Sequence, residues 1–233
     1  MENDRYRKVS ECVRAIRSSG MCKETLVWFP DTSVGWLDAS DNQTYDEKYF
    51  RKYLQYRKTD QGELINKFRL DFVRESCDNI ECLIDVGCGA GHFIDVVNQS
   101  NCGFKAYGYD VNKASVDWLK RTGNYGDFNQ IWKCVTFWDS LEHFPFFWVP
   151  LRKIEIGGYA VVTIPIFNEP QTITSSRHYR VDEHYWYFTC DSFVKFMTAA
   201  GFNLINASYG EQQYGREDVA SYAFKRVREC VLA

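Results

Sequence analysis

The residues richest in chemistry lie in one short run, Leu83-Ile84-Asp85-Val86-Gly87-Cys88-Gly89-Ala90-Gly91. A glycine-rich turn that leaves a strand and opens a helix lets a ligand approach the backbone closely. It also points unpaired N–H groups at an anion. A dinucleotide fingerprint would need its third glycine at position 92, which is His92; here the third glycine is Gly91. A carboxylate, Asp85, stands just before the loop. That charge would repel a pyrophosphate and attract an ammonium group. The expected ligand therefore carries both a cation and an anion, as an amino acid does. Further on, Tyr107-Gly108-Tyr109-Asp110 reads as the end of the next strand. A carboxylate at that tip can accept hydrogen bonds from both hydroxyls of a ribose. An amino-acid end at the loop and a ribose at the second strand together describe S-adenosylmethionine.

The run Val86-Gly87-Cys88-Gly89-Ala90-Gly91 resembles the first motif of class I S-adenosylmethionine-dependent methyltransferases. Thr136-Phe137-Trp138-Asp139-Ser140-Leu141-Glu142-His143 is similar to the Leu-Glu-His segment of their fourth strand, in the version typical of ubiquinone-biosynthesis-type O-methyltransferases. Glu183-His184-Tyr185-Trp186-Tyr187-Phe188-Thr189, followed by a helix and Ala200-Gly201-Phe202, resembles that branch's penultimate segment. The likeness spans about 80–225; residues 1–58 lie outside it and are similar to N-terminal extensions of phage and bacterial members. The resemblance implies a Rossmann-like, mainly parallel seven-stranded sheet with helices on both faces and an antiparallel last strand. It implies that Asp85, Gly87, Cys88, Gly89 and Gly91 hold the methionine end of the cofactor and that Asp110 and Val111 hold the ribose. Asp127 is the candidate for the adenine amino group, although 122–131 is short and shows no clear third strand. Asp139 and Ser140 complete the cofactor set, and the tip from Asp139 to His143 lines the methyl-transfer site.

Methyl transfer is a displacement that needs alignment more than covalent help from the protein. A hydroxyl nucleophile benefits from a base, and histidine titrates in the useful range. His143, just past the fourth strand, is the candidate catalytic residue; it can equally be a helix-start residue bonded to backbone. Glu142 can pair with the glycine-loop helix or touch substrate. His178, His184 and Tyr185 are substrate-binding candidates on a segment that either covers the site or is structural. His178 and His184 are six apart, without helical or strand spacing to bring them together, so no metal site is expected. Pro165 and Asn168 follow the fifth strand at the sheet's ligand-binding end. Arg216, in a turn before the last strand, can clamp an anion or simply serve the turn.

Tyr45, Tyr49, Tyr53 and Tyr56 recur at helical spacing among Lys48, Arg51, Lys52, Arg57 and Lys58. Such a pattern suits base stacking with phosphate contact, or a helix with one packed aromatic face and one solvated face. There is no Asp/Asn-Pro-Pro-Tyr/Phe segment after the fourth strand and no Pro-Cys pair, so amino-methylating and cytosine-C5 DNA chemistry is not supported. The favoured acceptor is a small molecule, with a nucleotide or nucleic acid as the alternative and a non-catalytic cofactor-binding subunit as a third reading.

These residues need a scaffold. Leu64, Ile65, Phe68 and Phe72 predict a helix over 60–76, opened by an Asp60/Glu63 capping box. Strands are expected at Cys82–Val86, Phe104–Tyr109, Trp132–Trp138, Gly158–Ile164, Asn203–Tyr209 and Ala220–Arg226. Helices are expected at Gly91–Asn98, Asn112–Arg121 and Thr189–Ala200, the last closed by Gly201. Alternation of this kind predicts an α/β fold with a mainly parallel sheet covered on both faces. Leu26–Pro30 is a strand or a buried loop, and the rest of 1–40 has weak periodicity. Residues 1–58 are read as an aromatic, basic extension that lids the domain at 59–233. The oligomeric state is left open by the sequence.

At 233 residues the chain can bury a full core, and 45% hydrophobic with 25% charged residues is ordinary globular composition. A net charge of −3 excludes a generally basic, polyanion-coating surface. Aromatics at 17% predict a large aromatic core. Nine scattered cysteines without a Cys-x-x-Cys pair fit reduced thiols in a cytoplasmic protein. The charged N-terminus is unlike a signal peptide, and no apolar stretch reaches membrane-spanning length.

Overall fold

The computed structural model describes residues 2–20, 23–40, 45–57, 59–230 and 232. Cys22, Lys58 and residues 41–44 of the tyrosine-rich segment lie outside them. The chain begins with α1 (Glu2–Ser19), then β1 (Val27–Phe29), β2 (Val34–Trp36), α2 (Glu47–Tyr56) and α3 (Asp60–Ser76). The cap of α3 differs from the expected box. Thr59 is the N-cap, its Oγ1 accepting from Gly62 N at 3.1 Å, while Glu63 pairs with Lys67 on the next turn. β3 (Cys82–Val86), α4 (His92–Gln99), β4 (Lys105–Tyr109), α5 (Lys113–Thr122) and β5 (Trp132–Trp138) follow. The chain ends through α6 (Trp148–Leu151), β6 (Ile154–Pro165), α7 (Pro170–Ile173), β7 (Trp186–Phe188), α8 (Cys190–Ala199), β8 (Phe202–Ser208) and β9 (Val219–Arg226).

The main sheet has the order β4-β3-β5-β6-β9-β8. β4, β3, β5 and β6 are parallel, and β9 runs antiparallel to both β6 and β8. Among the described residues this sheet has six strands, not seven. The missing edge strand is reduced to a single parallel bridge, Gly108 to Tyr125, before the chain turns at Asp127, whose carboxylate accepts from Asn129 N at 2.9 Å. Too few residues remain between α5 and β5 for a longer ladder.

Alternating side chains of the strands feed two cores. Ile84, Val86, Val135, Phe137, Val162 and Ile164 pack on one face, and Leu83, Cys134, Trp138, Tyr159 and Val161 on the other. The first core explains the aromatic excess: Phe147, Trp186, Phe188 and Phe196 meet with ring centroids 4.9–5.8 Å apart. A second, three-stranded antiparallel sheet, β1-β2-β7, pairs Val34 with Phe188. One side of α1 and the β1–β2 hairpin are thus built into this core, with Trp36 and Leu37 fully buried and Tyr6 edge-on to Phe196.

Candidate active site

A cavity of about 840 Å³ opens at the carboxyl ends of β3, β4, β5 and β6, within the ~300–1,000 Å³ typical of ligand sites. The glycine loop forms one wall. Gly87, Gly89 and Gly91 all take positive φ (78°, 55° and 67°), which other residues adopt only with strain. Gly87 also has no room for a side chain, since a Cβ there would lie 2.6 Å from Ser140 Cβ. Ser140 braces the loop by donating to Val86 O at 2.6 Å. Gly91 is the left-handed N-cap of α4, packed against Trp118 behind the cavity wall.

Asp85 lines the cavity from within β3 and is 3% exposed, with Oδ1 accepting from Thr136 Oγ1 at 2.8 Å. Burial raises its pKa to about 7, against the lowering effects of Thr136 and Arg69. Asp110 is at the tip of β4, where Oδ2 accepts from Gly89 N and Oδ1 from Asn112 N, both at 2.8 Å. Its carboxylate thus ties the glycine loop to the start of α5, and burial raises its pKa. Cys88 and Val111 line the same wall. Asp127 does not: it caps its own turn and stays outside the cavity lining.

Asp139 lines the cavity in a left-handed conformation (φ 55°), the kind of strain that gathers at functional sites. It is held by Arg216 at 2.7 Å and Arg69 at 3.2 Å, and both arginines also bind Glu211. Burial would raise the Asp139 pKa, but the two guanidinium groups outweigh it and bring it to about 2. Arg216 therefore clamps two side-chain carboxylates. Glu211 and Arg69 carry no local signal, because they meet across 142 positions of chain.

The roof is α2, which begins with the Asp46 carboxylate accepting from Tyr49 N at 2.8 Å. Tyr45, Tyr49, Tyr53 and Tyr56 all line the cavity, with Tyr49 and Tyr53 hydroxyls 3.1 Å apart. At its end Arg57 donates to Ala90 O at 3.0 Å, pairs with Asp95 of α4 and lies over Trp118. The helix is thus fastened to the glycine loop.

Opposite, the 3₁₀ turn Leu141–His143 meets the segment 177–184. Tyr45 Oη donates to Glu183 Oε2 at 3.3 Å and lies 3.1 Å from His143 Nδ1. Its one proton goes to Glu183, so His143 Nδ1–H donates to Tyr45 Oη and Nε2 keeps its lone pair. Arg180 pairs with Glu183 at 2.5 Å. Burial and then Arg180 lower the His143 pKa to about 4, so the ring is neutral at physiological pH. His184 packs edge-on to His143 with centroids 4.8 Å apart. His178 lines the cavity rim with Nε2 3.2 Å from Glu217 O. Tyr185 is turned away, buried under Arg17 at 5.0 Å from its ring. Pro165 lines the cavity and Asn168 does not.

The family profile described as "Methyltransferase domain" matches residues 45–207. The chain belongs to that family. A comparison with curated proteins finds no match. Among solved structures, this methyltransferase-family chain is similar to the plantazolicin methyltransferase BpumL in complex with SAH (10% identity, 78% of this chain and 90% of that one, TM-score 0.53). It is also similar to human N-acetylserotonin methyltransferase in complex with SAM (14% identity, 78% and 57%, TM-score 0.55). A third is an S-adenosylmethionine-dependent methyltransferase from Clostridium acetobutylicum (11% identity, 75% and 95%, TM-score 0.52). At these identities the likeness is one of fold. No helix among the described residues is long and apolar enough to cross a membrane.

Proposed function

We propose that the chain transfers the methyl group of S-adenosylmethionine to an oxygen or nitrogen of a small-molecule acceptor enclosed between the glycine loop and the tyrosine roof. The donor set suits that cofactor: Asp85 for its ammonium group, the close backbone approach of Gly87 and Gly89, and Asp110 for the ribose. Asp127, bound in its own turn, is left out of the cofactor set. When bound, the cofactor supplies an electrophilic methyl group on a sulfonium. The chain's own residues exclude water, orient the acceptor and handle its proton. His143 Nε2 is the group to meet the acceptor, with its ring fixed through Tyr45 to Glu183. His178 and His184 line the acceptor side, whereas Tyr185 supports from behind.

The observation that carries the small-molecule reading is the fastening of α2. Arg57, which a nucleic-acid platform would need free, is engaged with Ala90 O and Asp95. The tyrosines face inward to the cavity. The test is incubation with methyl-labelled cofactor and a fractionated cell extract. Label is expected in a low-molecular-weight product, and label confined to nucleic acid or protein would overturn the acceptor class.

A further inference from the structure

Glu142 poses a problem that the methyl-transfer reading leaves open. It is 1% exposed and lines the cavity, and neither carboxylate oxygen has a hydrogen-bond partner among the described residues. An unpartnered buried carboxylate is costly. Such a group is waiting for a cation or a proton.

Its neighbours favour a cation. The backbone brings His184 to it: Tyr185 N donates to Glu142 O at 2.9 Å and locks the two segments together. One carboxylate oxygen of Glu142 and one ring nitrogen each of His143 and His184 lie within 4.8 Å of one another. Both rings are oriented from behind. His184 Nδ1 is 3.0 Å from His178 O, which can only accept, so Nδ1 carries the proton and Nε2 the lone pair. His143 has the same arrangement, its Nδ1–H directed at Tyr45 Oη and on to Glu183. Imidazoles that ligate metal are characteristically held by just such outer hydrogen bonds. Ligand atoms on bonds of about 2.1 Å must lie within roughly 4.2 Å of one another, so a modest side-chain rotation closes the set.

We propose that Glu142, His143 and His184 form a binding site for one divalent transition-metal ion of the Zn²⁺, Mn²⁺ or Fe²⁺ class, with its open positions facing the acceptor side of the cavity. Two imidazoles and one carboxylate are a donor set for this class, and too nitrogen-rich for Mg²⁺ or Ca²⁺. The inference rests on the methyltransferase reading of the cavity and changes one role in it, since His143 Nε2 then holds the ion and not the acceptor's proton. It also narrows the acceptor to a hydroxylated small molecule. A cation beside the acceptor hydroxyl lowers its pKa, and the proton leaves to solvent. The oxygen lone pair then forms the C–O bond as the C–S bond breaks, and the sulfonium leaves as a neutral thioether.

The test uses the full chain after chelator dialysis, titrated with Co²⁺ and followed by its visible d–d absorption, with Zn²⁺ titration calorimetry alongside. One equivalent of Co²⁺ should bind and be displaced by Zn²⁺. Glu142→Gln and His184→Gln should each weaken binding at least as much as loss of an outer-shell partner does, about 10- to 100-fold. Glu142→Gln keeps the shape and removes the buried charge, so it should fold even if His184→Gln does not. Both variants should keep the thermal shift given by S-adenosylhomocysteine, a readout that does not need the metal. Loss of that shift in the wild type would fail the methyltransferase reading and not the metal site. No Co²⁺ or Zn²⁺ binding, equal binding by wild type and Glu142→Gln, or thiolate-to-cobalt charge-transfer bands would overturn the metal site.

Discussion

Asp85 should make cofactor binding depend on pH. Its carboxyl has a pKa of about 7, raised by burial, whereas an unfolded aspartate titrates near 3.8. If the ionised form meets the cofactor's ammonium group, affinity follows the ionised fraction. The dissociation constant should then fall about tenfold per pH unit below 7, and roughly 25-fold in all between pH 5.5 and 7.5. The cofactor's own amino group, with a pKa of about 7.8, stays mostly protonated over that range. Without ligand the sign is reversed for stability. Between about 3.8 and 7 the folded chain holds a proton that the unfolded chain has lost, so stability falls as pH rises through that window. The three-unit difference caps that loss at about 4 kcal/mol. Asp85→Asn keeps an oxygen for the Thr136 hydroxyl and removes the charge. The variant should melt higher than wild type at pH 8 and alike at pH 4, and should bind cofactor weakly with no pH slope. Calorimetric titrations of both proteins from pH 5.5 to 7.5 check this. A wild-type dissociation constant independent of pH, or an equal slope in Asp85→Asn, would refute the reasoning.

Asp110→Ala should weaken cofactor binding and also destabilise the fold by about 1–3 kcal/mol, because it leaves the Gly89 and Asn112 N–H groups without their acceptor; cofactor titration and thermal melts read the two effects separately. His143→Ala should slow turnover about 10²–10⁴-fold. Because its ring is neutral above about 4, wild-type turnover should show no histidine step near pH 6.5, and a step there that vanishes in the variant would place the ring in a more exposed setting. Arg57→Ala should loosen α2 from the glycine loop, raising the cofactor dissociation constant and the protease sensitivity of residues 45–57. It should leave oligonucleotide binding negligible at every salt concentration.

Local pattern explains which elements were legible. α3 and β5 begin and end where the sequence places them, because Ile65, Phe68 and Phe72 keep a helical period and Trp132–Trp138 is an unbroken strand-forming run. α1 was hidden because Tyr6, Val9 and Val13 are diluted by charged neighbours; their burial depends on α8, nearly two hundred residues on. β1, β2 and β7 have three residues each, too short to show a period, and β2 finds β7 only in the folded chain. The glycine loop and Asp110 were readable because one strand–loop–helix unit fixes them. Glu142 and His184 were each readable as candidates, but their meeting was not, because it depends on the backbone bond from Tyr185 to Glu142. His178, closer to His184 in sequence, points to Glu217 instead.

Binding of S-adenosylmethionine in the glycine-loop cavity is tested most directly by a thermal melt and calorimetric titration of the full chain with S-adenosylmethionine, S-adenosylhomocysteine and NAD. Both adenosyl ligands should bind and stabilise the fold by about 2.7 kcal/mol at a hundredfold excess over their dissociation constants, and NAD should do neither. A folded protein whose melt is unmoved by either adenosyl ligand, or moved by NAD instead, would contradict the account.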